Sequence, residues 1–541
     1  MRSARLVATV VAWGMAVSAA IAAPPATLVD AAENGDRTAA LRLLAKGADP
    51  NAPGPDGTTP IMWAAANGDL ELVRALVKAG AKVDAQNRFG AFALSEAATA
   101  GSAPIIDALL KAGANPNKAN PEGETSLMAA ARSGRLDAAK LLVEAGADIN
   151  TKESFGEQSA LMWAAAQSQA EMVKFLVSKG ADVNARGVIR NWERKVLTEP
   201  RPKDLNQGGF TPLLYAAREG CVECAKHLVA GGADLNLEDP HRVAPLNMAL
   251  LNLHFEFAAF MVKAGADVNK WDFYGRTPIY MAADVSTLPV KGNGAMAVLP
   301  SEDSVTALDV GRMLLDAGAD PNIRLKRRPP YRDVPQDRSG DTILMQGATP
   351  LLRAARAGDA PFVKLLLEHG ALVDLPSKEG VTPLMAAAGV EFGTRVTRGR
   401  NRTPEGVLAT MQLLLDAGAN VNAQMVSEPR RQLFDGNAVQ GTVFTYGIRE
   451  RPSQMPNPNA VPHQSALHGA AERGYTSFVT FLVEHGADLQ MKDAEGRTAL
   501  DLARGVGVAG VRQAKGEGYP ETVKAIEALI AAKGLSASAS R

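Results

Sequence analysis

The stretch that decides the fold is Gly57-Thr58-Thr59-Pro60-Ile61-Met62-Trp63-Ala64-Ala65, followed by Leu72, Val73, Leu76 and Val77 and closed by Gly80-Ala81. Each residue type in it has a physical role. A threonine hydroxyl accepts from the unpaired N–H groups of a first helical turn, and a proline at the first helical position loses no hydrogen bond there. Thr59-Pro60 therefore starts a helix. The Ala64-Ala65 pair gives that helix a thin face on which a neighbouring helix can lie, and Gly68 permits a reversal. The apolar spacing of three and four from Leu72 to Val77 then describes a second helix. Gly80 stops it in the left-handed conformation, which costs a residue with a β-carbon about 1 kcal/mol.

Working outward, the same grammar returns at Gly347-Ala348-Thr349-Pro350-Leu351-Leu352-Arg353-Ala354-Ala355. The closing glycine recurs as Gly47, Gly80, Gly113, Gly146, Gly180, Gly232, Gly265, Gly318, Gly370, Gly418 and Gly486. The first four intervals are 33, 33, 33 and 34 residues, and the next six are 52, 33, 53, 52, 48 and 68. The long ones read as one 33-residue unit plus an insertion, because the motifs on either side stay intact. These residues resemble the ankyrin repeat, whose motif runs Gly-x-Thr-Pro-Leu-His-x-Ala-Ala and closes with Gly-Ala-Asp-x-Asn. The resemblance covers about three-quarters of the chain. It implies an all-α solenoid of helix pairs with β-hairpin fingers, about twelve repeats in a curved, elongated array over residues 26–534. One departure stands out. The motif histidine survives only as His468, and Met62, Met128, Met162, Leu214, Tyr280 or Leu352 takes its place elsewhere.

With 541 residues the chain is too long for one globular core, which agrees with an extended array. Lys+Arg and Asp+Glu total 58 each, so no overall field draws it to nucleic acid. Arg2 and Arg5, the uncharged run Leu6 to Ala23, and small residues at Ala20 and Ala22 read as a cleavable signal peptide over 1–22. An uncleaved anchor is the competing reading, because the run is near the minimum for a bilayer span. The expectation is a periplasmic or secreted protein, cut near Ala22, with no membrane span after cleavage and a disordered tail over 535–541.

Insertions are expected at 185–207, 284–304, 323–346, 389–406 and 423–462, with a further interruption at 505–518. The first five together hold 21 Lys/Arg against 14 Asp/Glu, which leaves 37 against 44 for the rest, so the insertions are basic and the repeats acidic. Arg324, Lys326, Arg327 and Arg328 gather beside Tyr331, and Arg190, Trp192, Arg194 and Lys195 interleave in the same way. Such groups can grip carboxylates or phosphates on a partner. They can equally solvate long loops or dock on the acidic repeats of the same molecule.

By the resemblance, binding residues lie at finger tips and at the ends of first helices. That set is Arg88 with Phe89, Phe155, His241 with Arg242, and Phe273 with Tyr274 and Arg276 at the tips, with Arg132, Arg218 and Arg356 at helix ends. Arginine and aromatic residues are what interfaces use as anchors, although finger aromatics also pack on adjacent fingers. Trp63, Trp163 and Tyr215, just before an Ala pair, are expected in the core.

Cys221 and Cys224 form Cys-x-x-Cys at the start of a second helix. Packing as small apolar residues and a redox or regulatory bridge are both open, whereas two cysteines are too few for a zinc site. No catalytic constellation, metal site or cofactor motif is expected; His468 reads as structural, and His369 and His485 suit helix C-termini. The expected function is an exported, monomeric, non-enzymatic scaffold for protein partners. The alternatives are a secreted effector acting on host or competitor proteins, or a redox factor using Cys221 and Cys224.

Overall fold

The structure, a computed structural model, describes residues 27–190, 193–194, 208–286, 301–326, 347–390, 402–425, 444–445, 463–506 and 518–535. The expected signal peptide and nearly all of the expected tail lie outside them. The chain divides into two units, Met1–Phe155 and Gly156–Arg541.

In the first unit, the helices Leu28–Glu33, Pro60–Ala66, Ala93–Ala100 and Ser126–Arg132 alternate with Arg37–Ala45, Leu70–Lys78, Ala103–Lys111 and Leu136–Glu144. Each first helix packs on its own second helix and on the first helix of the next pair. The second unit follows the same order, from the pair Ala160–Ala166 and Ala170–Ser178 to the pair Ala499–Ala503 and Pro520–Ala532. The core is a thin layer of alanines (Ala64, Ala65, Ala97, Ala98, Ala130, Ala131) against the apolar stripe of the second helices (Leu72, Val73, Leu76), all buried. Alanine at these positions lets helices approach closely, and a buried leucine such as Leu76 adds roughly 1.5–3 kcal/mol over an exposed one.

The repeat motif is explained by its hydrogen bonds. Thr211, Thr349 and Thr382 accept from the backbone N–H three residues on and so cap their first helices as expected, whereas Thr59, the residue that raised the expectation, holds the same position with no side-chain cap bond. At the closing end, Gly80 has φ +88° with open space where a side chain would stand, so conformation alone demands glycine. Asp49 Oδ1 then accepts from the Asn51 N–H at 2.9 Å, folding a tight turn. Asn51 clamps the next repeat with both ends of its amide. Its Oδ1 accepts from Lys82 N at 2.7 Å, and its Nδ2 donates to Gly80 O at 3.1 Å. Asn117, Asn184, Asn269, Asn322 and Asn422 repeat this two-handed clamp. Three of the clamps reach across finger insertions: Asn184 to Gly232, Asn322 to Gly370, and Asn422 to Gly486. The insertions therefore leave the repeat-to-repeat register intact.

The fingers are not the β-hairpins that the resemblance implies. Among the described residues the only strands are Glu193–Arg194 and Phe444–Thr445, an antiparallel pair drawn from two insertions. A finger is instead a five-residue turn wrapped around a polar side chain. Asp272 Oδ1 accepts from Tyr274 N and Arg276 N, while the backbone closes through Asp272 N to Arg276 O. Asn87, Asp239 and Asp493 do the same. Successive fingers are joined by a single rung, such as Arg88 N to Asp56 O, Phe273 N to His241 O, or Lys326 N to Tyr274 O. With arms this short, side-chain oxygens do the work of a ladder.

Insertion boundaries shift as well. Residues 284–285 finish the helix Pro278–Val285, and 404–406 start the helix Pro404–Asp416. The finger insertions close at their bases through Gly209 N to Val188 O, Gly347 N to Leu325 O and His463 N to Met425 O. Leu325 and Met425 are buried there, so the repeat extends into what the motif register leaves as loop.

Candidate partner-binding surface

In the first unit, the finger Asn87 to Ala91 presents Arg88 and Phe89. Phe89 is 69% exposed, and the Arg88 guanidinium stands 5.4 Å from its ring centre. Beside it a cleft of about 170 Å³ is lined by Phe89, Ser95, Glu96, Asn120, Glu124 and Arg132, among others. Arg132 pairs with Glu124 at 2.9 Å. Burial pushes the Glu96 carboxyl above its usual range, because its charged form gives up water there. This surface thus joins an exposed ring to a polar cleft with two carboxylates. Phe155, at the end of the unit, is 70% exposed.

In the second unit the same residue types build a basic surface. The Arg242 guanidinium lies 3.8 Å and the Lys326 ammonium 3.2 Å from the centre of the Trp271 ring. The indole face is electron-rich, so it attracts both cations. Lost water and the nearby charge of Arg242 hold the Lys326 amine below its ordinary pKa. One carboxylate, Glu238, serves Arg242 at 3.3 Å and Lys270 at 3.4 Å, and its backbone carbonyl accepts from Arg186. Phe273 and Tyr274 pack edge to face at 5.3 Å in the next turn. In the preceding repeat Arg218 lies over Tyr215 at 5.1 Å and over Phe210 at 5.9 Å.

Two expected surface residues are braces instead. Arg276 grips Asp272 Oδ2 through Nε at 2.7 Å and Nη2 at 2.6 Å, with both side chains largely buried. Arg497 and Asp493 repeat that grip, which marks it as part of the repeat. Arg356 is 3% exposed, and its Nη1 donates to Val390 O. The end of the insertion after Gly389 also meets this helix, where Arg402 Nη1 donates to Arg356 O at 2.9 Å. Trp63, Trp163 and Tyr215 are half-buried rather than core. Trp271 and Glu96 escaped the sequence reading. A tryptophan just before a finger aspartate was the available signal for the first; nothing local marked the second.

His468 is buried and ties its first helix to the next finger. Its Nδ1 accepts from Ser465 N at 3.2 Å and its Nε2 donates to Arg497 O at 3.2 Å. Cys221 and Cys224 are joined by a disulfide, and Cys224 also fills the buried apolar position that the packing reading gave it.

The family description "Ankyrin repeats (3 copies)" matches residues 28–120, 97–187, 213–290 and 306–425, and "Ankyrin repeat" matches 463–494. The chain belongs to the ankyrin-repeat family. This ankyrin-repeat protein is 30% identical over 305 residues to the mouse (Mus musculus) B-cell lymphoma 3 protein homolog, covering 56% of this chain and 49% of that one. It thus spans about half the length of that curated relative. It is 28% identical over 183 residues to the putative ankyrin repeat protein YahD of Escherichia coli K12, covering 32% of this chain and 87% of that one. Among solved structures, the human ASB11 ankyrin repeat domain matches with a TM-score of 0.37 at 22% identity, over 44% of this chain and 98% of that one. Ankyrin repeats generally mediate protein–protein interaction. Among the described residues no helix is long and apolar enough to cross a membrane, and no group of three or more His, Cys, Asp or Glu could hold a metal ion.

Proposed function

We propose that this ankyrin-repeat protein is an exported, non-enzymatic scaffold that holds a protein partner through an acidic segment laid on the fingers around Trp271. The supporting observation is that two cations share one indole while a single carboxylate, Glu238, answers Arg242 and Lys270. An acidic side chain arriving there completes charge pairs without displacing the cations from the ring. Arg218, with Tyr215 and Phe210, extends the surface to the neighbouring repeat. The N-terminal run to Ala22 supports export to the periplasm or beyond. A secreted effector uses the same surface, and cell fractionation separates the two. Partner recovery from periplasmic and medium extracts tests the reading, comparing wild type with Lys326→Glu and Arg242→Glu. The expected result is an acidic protein recovered by wild type and lost from both variants; equal recovery by all three removes the surface around Trp271 from the account.

A further inference from the structure

The second helices of this array begin at a fixed capping position, and what stands there is informative. At Asp36, Asp69 and Asp359 a carboxylate oxygen accepts from the backbone N–H three residues on, at 2.9, 3.0 and 3.2 Å. In the repeat that carries Val222–Ala230, the position is Cys221, and its sulfur accepts from Cys224 N at 3.2 Å. The nine-residue helix thus directs at sulfur the donor that three other second helices direct at a carboxylate, whereas the helices on either side of it begin at Gln169 and His254 with no side-chain cap. Three residues on, where the array places Leu72 or Phe362, stands Cys224, fully buried against the helix core. Cys221 is only partly buried. The two cysteines of the disulfide are therefore unequal: Cys221 is half-buried at a helix start where three other repeats place a carboxylate, and Cys224 is sealed in the apolar layer.

We propose that Cys221–Cys224 is an exchangeable disulfide that oxidises a dithiol on a partner protein, with Cys221 as the sulfur attacked. A thiolate of the partner attacks Cys221 Sγ, the bond to Cys224 breaks, and Cys224 leaves as a thiolate that takes up a proton. The partner's second thiolate then attacks its own sulfur in the mixed disulfide, and Cys221 leaves. Two electrons pass from the partner dithiol, which becomes a disulfide, to the pair, which becomes two cysteines. Cys221 leaves readily because its thiolate occupies the place of a capping carboxylate and keeps the Cys224 N–H as its donor. The opposite direction of attack is closed, since Cys224 Sγ offers no surface to an incoming thiolate. This inference stands apart from the binding surface around Trp271 and survives its failure.

The test uses the full-length chain. After incubation with glutathione buffers and acid quenching, the pair is expected to interconvert between disulfide and dithiol, and a peptide with two cysteines is expected to be oxidised stoichiometrically. In the reduced wild type, iodoacetamide with peptide mapping should label Cys221 at least about tenfold faster than Cys224. Cys224→Ser should accumulate a glutathione adduct on Cys221, whereas Cys221→Ser, which keeps a capping hydroxyl, should accumulate none on Cys224. A pair that stays oxidised in reducing glutathione while an exposed control disulfide is reduced overturns the proposal. So does equal or faster labelling of Cys224, a reading that needs no variant to fold.

Discussion

The first unit, uninterrupted from Leu28 to Phe155, and the second, broken by insertions, are written in one grammar yet use the same residues differently. Arg132, Arg218 and Arg356 hold the same place after their Ala pairs. Arg132 reaches Glu124 at the rim of a cleft, Arg218 lies over two aromatic rings, and Arg356 is buried with its guanidinium on Val390 O. Register fixes where such a side chain starts. What arrives from elsewhere in the chain decides what it does.

The largest effect expected from this contrast is on stability. Arg356→Ala removes a buried cation and leaves Val390 O without that donor, so a loss of about 2–4 kcal/mol is expected. Arg132→Ala should change stability by no more than about 0.5 kcal/mol, because its ion pair is half in water. Urea denaturation of both variants checks the difference, and comparable losses would mean that burial of Arg356 on Val390 O adds nothing beyond an exposed ion pair. Asp284→Asn belongs with the first group, since Arg353, buried at the position held by Trp63 in the first unit, is paired with it.

Second in size is a histidine pH effect, which falls in one unit because all seven histidines lie beyond Phe155. Burial holds the His468 ring below its ordinary value of 6.5, although the hydrogen bond to Arg497 O and the charge of Asp493 favour its protonated form. Below pH 6.5 the unfolded chain binds a proton that the folded ring refuses, so stability falls as the pH drops from 6.5 toward the folded value. The slope has a ceiling of about 1.4 kcal/mol per pH unit. His369 acts in the opposite sense. Its ring is held between Leu365 O and Asp316, which raise its pKa, so the stability it adds is complete below 6.5 and is lost as pH rises through the folded value. It is the more exposed of the two, and His468 should dominate. Hydrogen exchange at pH 5.5 and 7.5 is expected to show loosening around Ala466–Glu472 at the lower pH and none around Leu28–Ala45, where no histidine or shifted carboxyl lies. His468→Asn should abolish the difference.

Trp271→Ala comes third, with an expected cost of about 1–2 kcal/mol from the half-buried ring and the two cations it attracts. A loss confined to the fingers by hydrogen exchange would support the stack as a local brace; no measurable loss would mean that Arg242 and Lys326 are held by other groups.

These contrasts mark what the sequence made legible. The repeat could be read because each of its parts acts within a few residues: a Thr cap, a glycine in the left-handed region, an aspartate folding its own turn. Asn51 was visible as the closing residue of the motif, although its grip on the next repeat was not. The burial of Arg356 could not be read, because its guanidinium is met by Val390 O, thirty-four residues away. The stack on Trp271 was hidden for the same reason, since Arg242, Trp271 and Lys326 come from three different fingers. Arg276 was misread through its neighbours: beside Phe273 and Tyr274 it resembles an interface anchor, while the Asp272 four residues earlier makes it a brace. The recurrence of that spacing at Asp493 and Arg497 was the clue.

Phe89 carries the smallest stability effect and the sharpest use of the comparison. Its ring is 69% exposed with only Arg88 lying over it, whereas Trp271 sits under two cations. Removing so exposed a ring returns little apolar surface to water, so Phe89→Ala should leave the urea midpoint unchanged within an equivalent of about 0.5 kcal/mol. If the first unit also docks a partner, the same variant weakens that binding by about 1–2 kcal/mol, because an exposed aromatic gains its burial only in the complex. Calorimetric titration of the partner into wild type, Phe89→Ala and Trp271→Ala separates the cases. A binding loss for Phe89→Ala without a stability loss makes the first unit's cleft a second contact, and an unchanged titration confines recognition to the basic fingers of the second unit.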